Sequence, residues 1–468
     1  MSDRIWKEKI IDIVGRENFQ DSNESRFVYS YDATPNFQSL PDAVVCPRNT
    51  EEVSQIVRVC NEYLVPIVPR GSGTNLCAGT CPTKGGIVLL FSNMRSILEV
   101  DEENLTVTVQ PGLITFDMIE EVEKRGLFYP PDPSSMKIST IGGNLMENSG
   151  GLRGLKYGVT RDYVLGLEVV LPNGAIIRTG GKLAKDVAGY DLTRLLVGSE
   201  GTLGIITEAI LKLIPVPETT RTILAVYENI EDAANTVSKI IASRIIPSTL
   251  EFLDRSTIDV VEQFAKVGLP TDAEAILLIE QDGPLEVVKK DIDRIRELCI
   301  QMNAIRVDIA KSEEEAEGLR LARRSALSAL ARLKPTTILE DATVPRSEIA
   351  KMVRAINRIA KKYNVQICTF GHAGDGNLHP TCLTDARNQE ELERVEKAFE
   401  EIFIEAINLG GTITGEHGVG EMKSPYLGLK LGETGINAML SIKMAFDPNN
   451  IMNPGKMFAK DEKKRVTV

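Results

Sequence analysis

The texture of the chain changes near residue 217, and that change limits the folds open to it. Residues 40–215 are rich in glycine and in short apolar runs, whereas residues 218–410 carry amphipathic helical patterns alternating with strand patterns. At 468 residues the chain exceeds what one core sustains, so two or three domains are expected. In the first zone AVVCP, TEEVSQIVRVCNEYL and VPIVPRGSGTN read as strand, helix, strand and glycine loop. GIVLL (86–90), ILEV (97–100) and LTVTV (105–109) follow as short strands, and ITFDMIEEVEKRG (114–126) as a helix closed by Gly126. VLGLEVVLPNGAIIRTG predicts two strands around Asn173-Gly174. In the second zone TILAVYE (222–228), AILLIEQ (275–281) and AIRVDIA (304–310) read as strands. Helices are expected near 230–243, 284–301, 312–333, 346–363 and 388–409. That alternation predicts an antiparallel sheet covered by helices, giving an α+β protein divided as 1–217, 218–410 and 411–468.

Composition removes several classes of function. With 66 acidic against 54 basic residues the net charge is −12, which excludes a phosphate-backbone partner such as nucleic acid. The N-terminus MSDRIWKEKIIDIVG carries charge throughout, and no stretch approaches the roughly 18 apolar residues of a spanning helix. A cytoplasmic protein without direct membrane insertion is expected. Cys46, Cys60, Cys77, Cys81, Cys299, Cys368 and Cys382 form an odd, scattered set that suits a reducing compartment. They make no tight run of the iron–sulfur type, so any iron–sulfur relay belongs to another subunit.

The stretch from Pro130 to Gly158 has little periodicity, and so long an irregular segment inside a domain usually wraps a ligand. PRGSGTN (69–75) follows an apolar strand, and its amides can cradle a diphosphate. No Gly-Lys-Ser/Thr follows it, and its spacing is not that of a Rossmann fingerprint. Together with PPDPSS (130–135), STIGGNLMENSGG (139–151), GYDL (189–192), LLVGSEGTLGIITEA (195–209) and NPGK (453–456), it resembles the FAD-binding domain of the vanillyl-alcohol oxidase class of flavoproteins. The full set is similar to that class's FAD-linked 2-hydroxy-acid dehydrogenases, the D-lactate dehydrogenases and glycolate oxidase catalytic subunits.

The resemblance implies that Pro69, Arg70, Gly71, Ser72, Gly73, Thr74 and Asn75 hold the pyrophosphate. Pro131, Asp132, Ser135, Gly142, Gly143, Asn144, Gly150 and Gly151 would line the ADP and ring, and Glu200, Gly201, Gly204, Ile206 and Asn453 would complete the pocket. Lys185 and Tyr190 are further candidate contacts. It also implies electron delivery to a partner protein, an electron-transferring flavoprotein or an iron–sulfur subunit. Every histidine lies after residue 370, so a histidyl tether from this part of the chain is excluded and the FAD is expected to be non-covalent.

There are only three histidines, all in Gly-punctuated strings: His372 and His379 in FGHAGDGNLH, and His417 in TGEHGVGE. Histidine is the usual side chain for metal ligation and for proton transfer near neutral pH. Taking Asp375-Gly376 as a two-residue turn pairs His372 directly with His379, near enough to share one divalent ion. A nearby carboxylate would leave the open coordination of a catalytic metal, and Glu416 is the candidate. The resemblance assigns His372, His379 and Glu416 as ligands of zinc, or of iron(II) or manganese, and His417 as the base. On that assignment His417 takes the hydroxyl proton of a 2-hydroxy acid and the α-hydrogen leaves as hydride to the flavin. LRLARRSALSALAR (319–332) is similar to the segment that supplies a carboxylate-binding arginine, matching Arg323 with Arg324 beside it. Relatives often carry Trp where this chain has Arg320. D-lactate is the favoured substrate, with glycolate and D-2-hydroxyglutarate as alternatives. Direct use of oxygen, an electron-transfer subunit without substrate chemistry and a zinc hydrolase are the other readings.

Overall fold

The computed structural model describes residues 2–35 and 37–458; of the expected C-terminal segment, 459–468 lie outside the described residues. Two main sheets build the first half, with a two-stranded pairing of Leu127–Phe128 and Ile214–Pro215 beside them. One orders Phe19–Gln20, Ala43–Val45, Ile87–Leu90 and Ile67–Arg70 side by side, the last three parallel. The helix Thr50–Tyr63 connects Ala43–Val45 to Ile67–Arg70, as a parallel pair requires. Its cap is Asn49, whose side chain accepts the amide of Glu52, and its buried face runs through Val53, Ile56, Val57 and Cys60. The other sheet is antiparallel in the order Ile97–Asp101, Thr106–Val109, Ile205–Lys212, Val164–Val170 and Ile176–Gly180. The expected hairpin around Asn173-Gly174 joins its last two strands, with Gly174 at φ +79°.

The second half is an eight-stranded antiparallel sheet covered by helices on both faces. Its central strands are buried on both sides, and alternate residues serve different cores. Ile223, Ala225 and Tyr227 pack under Ile230–Ala242, Leu285–Gln301, Ile349–Tyr363 and Gln389–Asn408. Leu224 and Val226 face Arg255–Ala265, Glu313–Arg324 and Ala326–Leu330. The strand Thr249–Asp254 was not legible in the sequence; it lies between Ala275–Gly283 and Gln366–His372. After the helix Leu427–Phe446 the chain returns to the first sheet. The amide of Ile67 donates to Ile451 O (2.8 Å), and that of Asn453 donates to Ile67 O (2.8 Å).

The histidine hairpin differs from the expected register. Residues 373–376 form a four-residue loop, so His372 pairs with Asn377 and Phe370 pairs with His379. Asp375 Oδ1 accepts the Asn377 amide (3.2 Å), an Asx turn that absorbs the two extra residues, and Gly376 takes φ +89°. His372 and His379 become diagonal neighbours on one face, a spacing long side chains still bridge. That face is the one crossed by Glu313–Arg324, since Phe370 packs in the same core as Ala322.

Candidate active site

A cleft of about 870 Å³ runs between the two halves. The first half lines it with Pro69, Arg70, Gly71, Ser72, Gly73, Thr74 and Asn75, with Ser135, Gly142, Gly143, Asn144 and Gly150, and with Glu200, Gly201, Ile206 and Asn453. Two of these glycines are sterically required. A Cβ on Gly71 would sit 2.1 Å from Thr140 Oγ1, and Gly201 combines φ +71° with a Cβ position 2.5 Å from Pro69. Buried Arg70 gives Nη1 to Tyr31 O (2.7 Å), while its Nε and Asn453 Oδ1 have no hydrogen-bond partner among the described residues, so each of these cleft-lining residues keeps an unused polar atom. This donor set, in a cavity of that size, fits a dinucleotide.

Four of the expected contacts do not line the cleft. Pro131 and Asp132 are buried, and the Asp132 carboxylate turns to Arg324 Nη2 (2.9 Å) and the Arg153 amide (3.2 Å). Gly151 packs on the Asp132 backbone and Gly204 on Val169. Lys185 and Tyr190 also fall outside it, because the loop that carries them stands in solvent, with Tyr190 95% exposed. Conversely, Tyr29, Tyr31 and Asp32 line the cleft, yet their segment has no glycine pattern to reveal it.

At the far wall Arg323, Arg324, Leu327, Leu339, Phe370, His379, Glu416 and His417 meet the same space. His372 Nε2 lies 3.1 Å and His379 Nε2 3.3 Å from Glu416 Oε1, and the three ligand atoms lie within 4.8 Å of one another. The His379 ring stacks on His417 at 5.1 Å. His372 Nδ1 meets Glu251 Oε1 at 2.8 Å, which orients the ring so that Nε2 faces Glu416. Burial opposes a charge on His372, but Glu251 and Glu416 hold its pKa well above the ordinary value. Burial likewise opposes the Glu416 charge, and His372 and His379 hold that carboxyl well below its usual range. The cluster therefore favours positive charge at its centre, and two imidazole nitrogens with one carboxylate are a donor set that fits a divalent metal.

Sequence reasoning missed two groups that hold this wall in place, Asp341 and Glu251, and named Glu200 only as a residue of the pocket. Buried Asp341 accepts the amides of Gly415 (2.6 Å), Glu416 (2.8 Å) and His417 (3.3 Å), and it pairs with buried Lys423. Its other oxygen lies 3.5 Å from His417 Nδ1. Burial pushes the His417 pKa down to about 4, so this imidazole is neutral at pH 7. Glu200 bridges the two halves. It sits at φ +52°, and its oxygens accept the amides of Val419 (2.6 Å) and Gly420 (2.7 Å) just beyond His417. Glu251, buried in its strand, holds Arg323 Nε at 2.6 Å with its second oxygen and leaves Arg323 Nη2 without a partner among the described residues. Arg320, by contrast, is spent on Glu280, Glu313 and Glu317.

Two family models match the chain: "FAD binding domain" over residues 41–180 and "FAD linked oxidases, C-terminal domain" over residues 216–457. A protein of Bacillus subtilis named glycolate oxidase subunit GlcD is 72% identical over 98% of both chains. One of Anaerostipes hadrus named D-lactate dehydrogenase is 38% identical over 90% of both. In structure the chain is similar to p-cresol methylhydroxylase, with a TM-score of 0.81 over 97% of this chain and 96% of that one; at 18% identity this likeness concerns the fold alone. No helix among the described residues is long and apolar enough to cross a membrane. The chain belongs to the FAD linked oxidases, as an FAD-dependent oxidoreductase of the vanillyl-alcohol oxidase class.

Proposed function

We propose that this protein oxidises a short 2-hydroxy acid to the 2-oxo acid, with non-covalent FAD as the electron acceptor. One observation carries the reading: His379, Glu416, His417 and Arg323 face the same cleft that the Gly-rich strings line. The names of the relatives in Bacillus subtilis and Anaerostipes hadrus point to glycolate and to D-lactate respectively, and the higher identity of the first moves glycolate ahead of the sequence's preference for D-lactate. The three-part division 1–217, 218–410 and 411–468 remains our working description, with the last segment supplying Glu416 and His417.

On this reading Arg323 takes the substrate carboxylate on its unpartnered Nη2, held in place by Glu251. His417, neutral at pH 7, accepts the hydroxyl proton, and Asp341 beside Nδ1 stabilises the imidazolium that results. His372, His379 and Glu416 would hold the divalent metal, zinc or else iron(II) or manganese. When bound, that ion supplies Lewis-acid stabilisation of the developing alkoxide, and FAD supplies the two-electron acceptor. Glu200 and Asp341 hold the Glu416-His417 loop against both halves, so the base is positioned before substrate arrives.

The seven cysteines are buried and form no disulfide. Onward electron transfer is assigned, by the resemblance, to a partner protein, either an electron-transferring flavoprotein or an iron–sulfur subunit. The test is anaerobic bleaching of the flavin absorbance with glycolate, D-lactate, L-lactate and D-2-hydroxyglutarate, before and after chelation. Bleaching that chelation abolishes is the expected result. Bleaching that survives chelation removes the metal from the reading, and no bleaching by any hydroxy acid removes the substrate class.

A further inference from the structure

One acid in the cleft takes no part in substrate binding or in proton transfer. Glu147 is half-buried, closes the helix Ile141–Glu147 and lines the cleft. Its carboxyl is seated between two glycines. A Cβ on Gly79 would lie 3.1 Å from Oε1, and one on Gly418 would lie 2.2 Å from Oε2, with Gly418 at φ +81°. Gly418 follows His417 directly, so this carboxyl stands where the Gly-rich wall meets the loop that carries the base.

A second carboxyl shares the place. Oxygens of Glu147 and Glu200 and the Cys77 Sγ lie within 4.8 Å of one another. The two acids are held differently. Glu200 accepts the amides of Val419 (2.6 Å) and Gly420 (2.7 Å), donors that favour its charged form. Among the described residues Glu147 accepts only from the Cys77 thiol, at 4.0 Å. The lysines whose charge reaches the pair are committed elsewhere, Lys423 to Asp341 and Lys456 to Glu421. Asp32 adds a further negative charge nearby. Two carboxyls this close resist ionising together, and the one without amide donors keeps the proton. Burial lifts both acids, but the two amides oppose it at Glu200, whereas Glu200 and Asp32 reinforce it at Glu147 and hold that carboxyl well above the usual carboxylate range. Glu147 then has an O–H to give to a ligand in the cleft.

We propose that Glu147, as the neutral member of a carboxyl pair, donates a hydrogen bond to the flavin ring of FAD and stabilises the negative charge that the ring gains on reduction. This rests on the hydroxy-acid reading above, which sets the end of the cleft that the ring occupies. Hydride transfer needs the ring beside the substrate that His417 and Arg323 hold, so the ring rather than the adenine belongs next to the Glu416-His417 loop. A hydride carries two electrons and one proton, so a neutral ring that accepts it gains one negative charge. An ionised carboxylate at this place would oppose that charge, whereas a carboxylic acid offers it a donor. Glu200 and the two glycines thus serve the flavin indirectly: one keeps the proton on Glu147, and the others make room for its carboxyl.

The test uses FAD-loaded protein, reduced stepwise beside a reference redox dye and without substrate. At a fixed dye ratio Glu147→Ala is expected to lower the ratio of reduced to oxidised flavin by about tenfold or more, the scale of one hydrogen bond to a charged group. Glu147→Gln, neutral and still a donor, is expected to stay within about twofold of wild type. An unchanged ratio in Glu147→Ala overturns the proposal. So does a raised ratio in Glu147→Gln, because that substitution would then have removed a negative charge. A merely structural role would make both variants fall together, and that result also overturns it. Should the variants fail to hold FAD, wild-type protein still decides. Its reduced-minus-oxidised infrared difference spectrum is expected to show the C=O stretch of a protonated carboxylic acid, and the absence of that band overturns the proposal. The dye titration needs no hydroxy acid, so the two readings fail separately. If glycolate or D-lactate bleaches the flavin while Glu147→Ala leaves the ratio unmoved, this inference alone falls. If no hydroxy acid bleaches it while the ratio shifts as expected, the function proposed above falls and the role of Glu147 stands.

Discussion

The two walls of the cleft are built on opposite principles. The Gly-rich wall offers mainly backbone, presented by contiguous strings such as 69–75, with Gly71 and Gly201 where a side chain would collide. The cap wall offers side chains, gathered from five separate stretches: Glu251, Arg323 with Arg324, Asp341, His372 with His379, and Glu416 with His417. A backbone cradle tolerates change at most positions and fails at a few glycines. A side-chain cluster fails wherever one carboxylate that orients another group is lost.

The largest separation of the two walls is expected from His417→Ala. It should slow flavin reduction by roughly 10²–10⁴-fold, the usual worth of a positioned base, while FAD content stays at the wild-type level. Retention of full activity would remove His417 from the chemistry. Glu251→Gln comes next. Metal content after dialysis is expected to show affinity reduced by about 10–100-fold, the common effect of losing the group that orients a metal-binding histidine, again with FAD retained. Gly201→Ala attacks the other wall. Its φ of +71° and the contact with Pro69 predict a loss of roughly 1–3 kcal/mol and weaker FAD retention, read by thermal unfolding and flavin absorbance, with metal content held.

The smallest effect concerns a residue that braces the histidine strand from below. Asp254 caps the helix Arg255–Ala265 and also accepts the Thr369 amide at 2.6 Å. Burial raises its pKa to about 6, above the unfolded value. Its protonated form is therefore favoured in the folded state, and the stability this gives is complete below about pH 4 and is lost as pH rises through 6. Asp254→Asn should flatten the stability curve between pH 4 and 6 by about 2 kcal/mol, measured by denaturant unfolding. An unchanged curve would place the titration elsewhere.

The contrast also explains what was legible in the sequence. The cradle was readable because its signal is local: each Gly-rich string is a run of neighbours that does one task. His372, His379, Glu416 and His417 were readable because histidine is scarce here and glycine flanks it. Glu251 and Asp341 were not, since a lone acid in TLEFLD or LEDATV looks like any outward-facing strand residue until the fold buries it. Arg323 and Arg324 were readable only by resemblance, because a helix with that charge pattern is usually solvated. The hairpin register failed because Asp-Gly fits several turn types, and an Asx turn of two further residues won. Asp132 was legible as part of a motif but not as the ion-pair partner of an arginine 192 positions away.

The return of the chain end to Ile67 has a consequence for biosynthesis. The strand Ile67–Arg70 leaves the ribosome early, yet Asn453, which donates to Gly79 O (2.9 Å) and Glu200 O (2.7 Å), is made 374 residues after Gly79. Until then the nascent protein has both banks of its cleft and no keystone. A chain cut short before NPGK is expected to retain less FAD, a loss read from the flavin absorbance of the truncated protein.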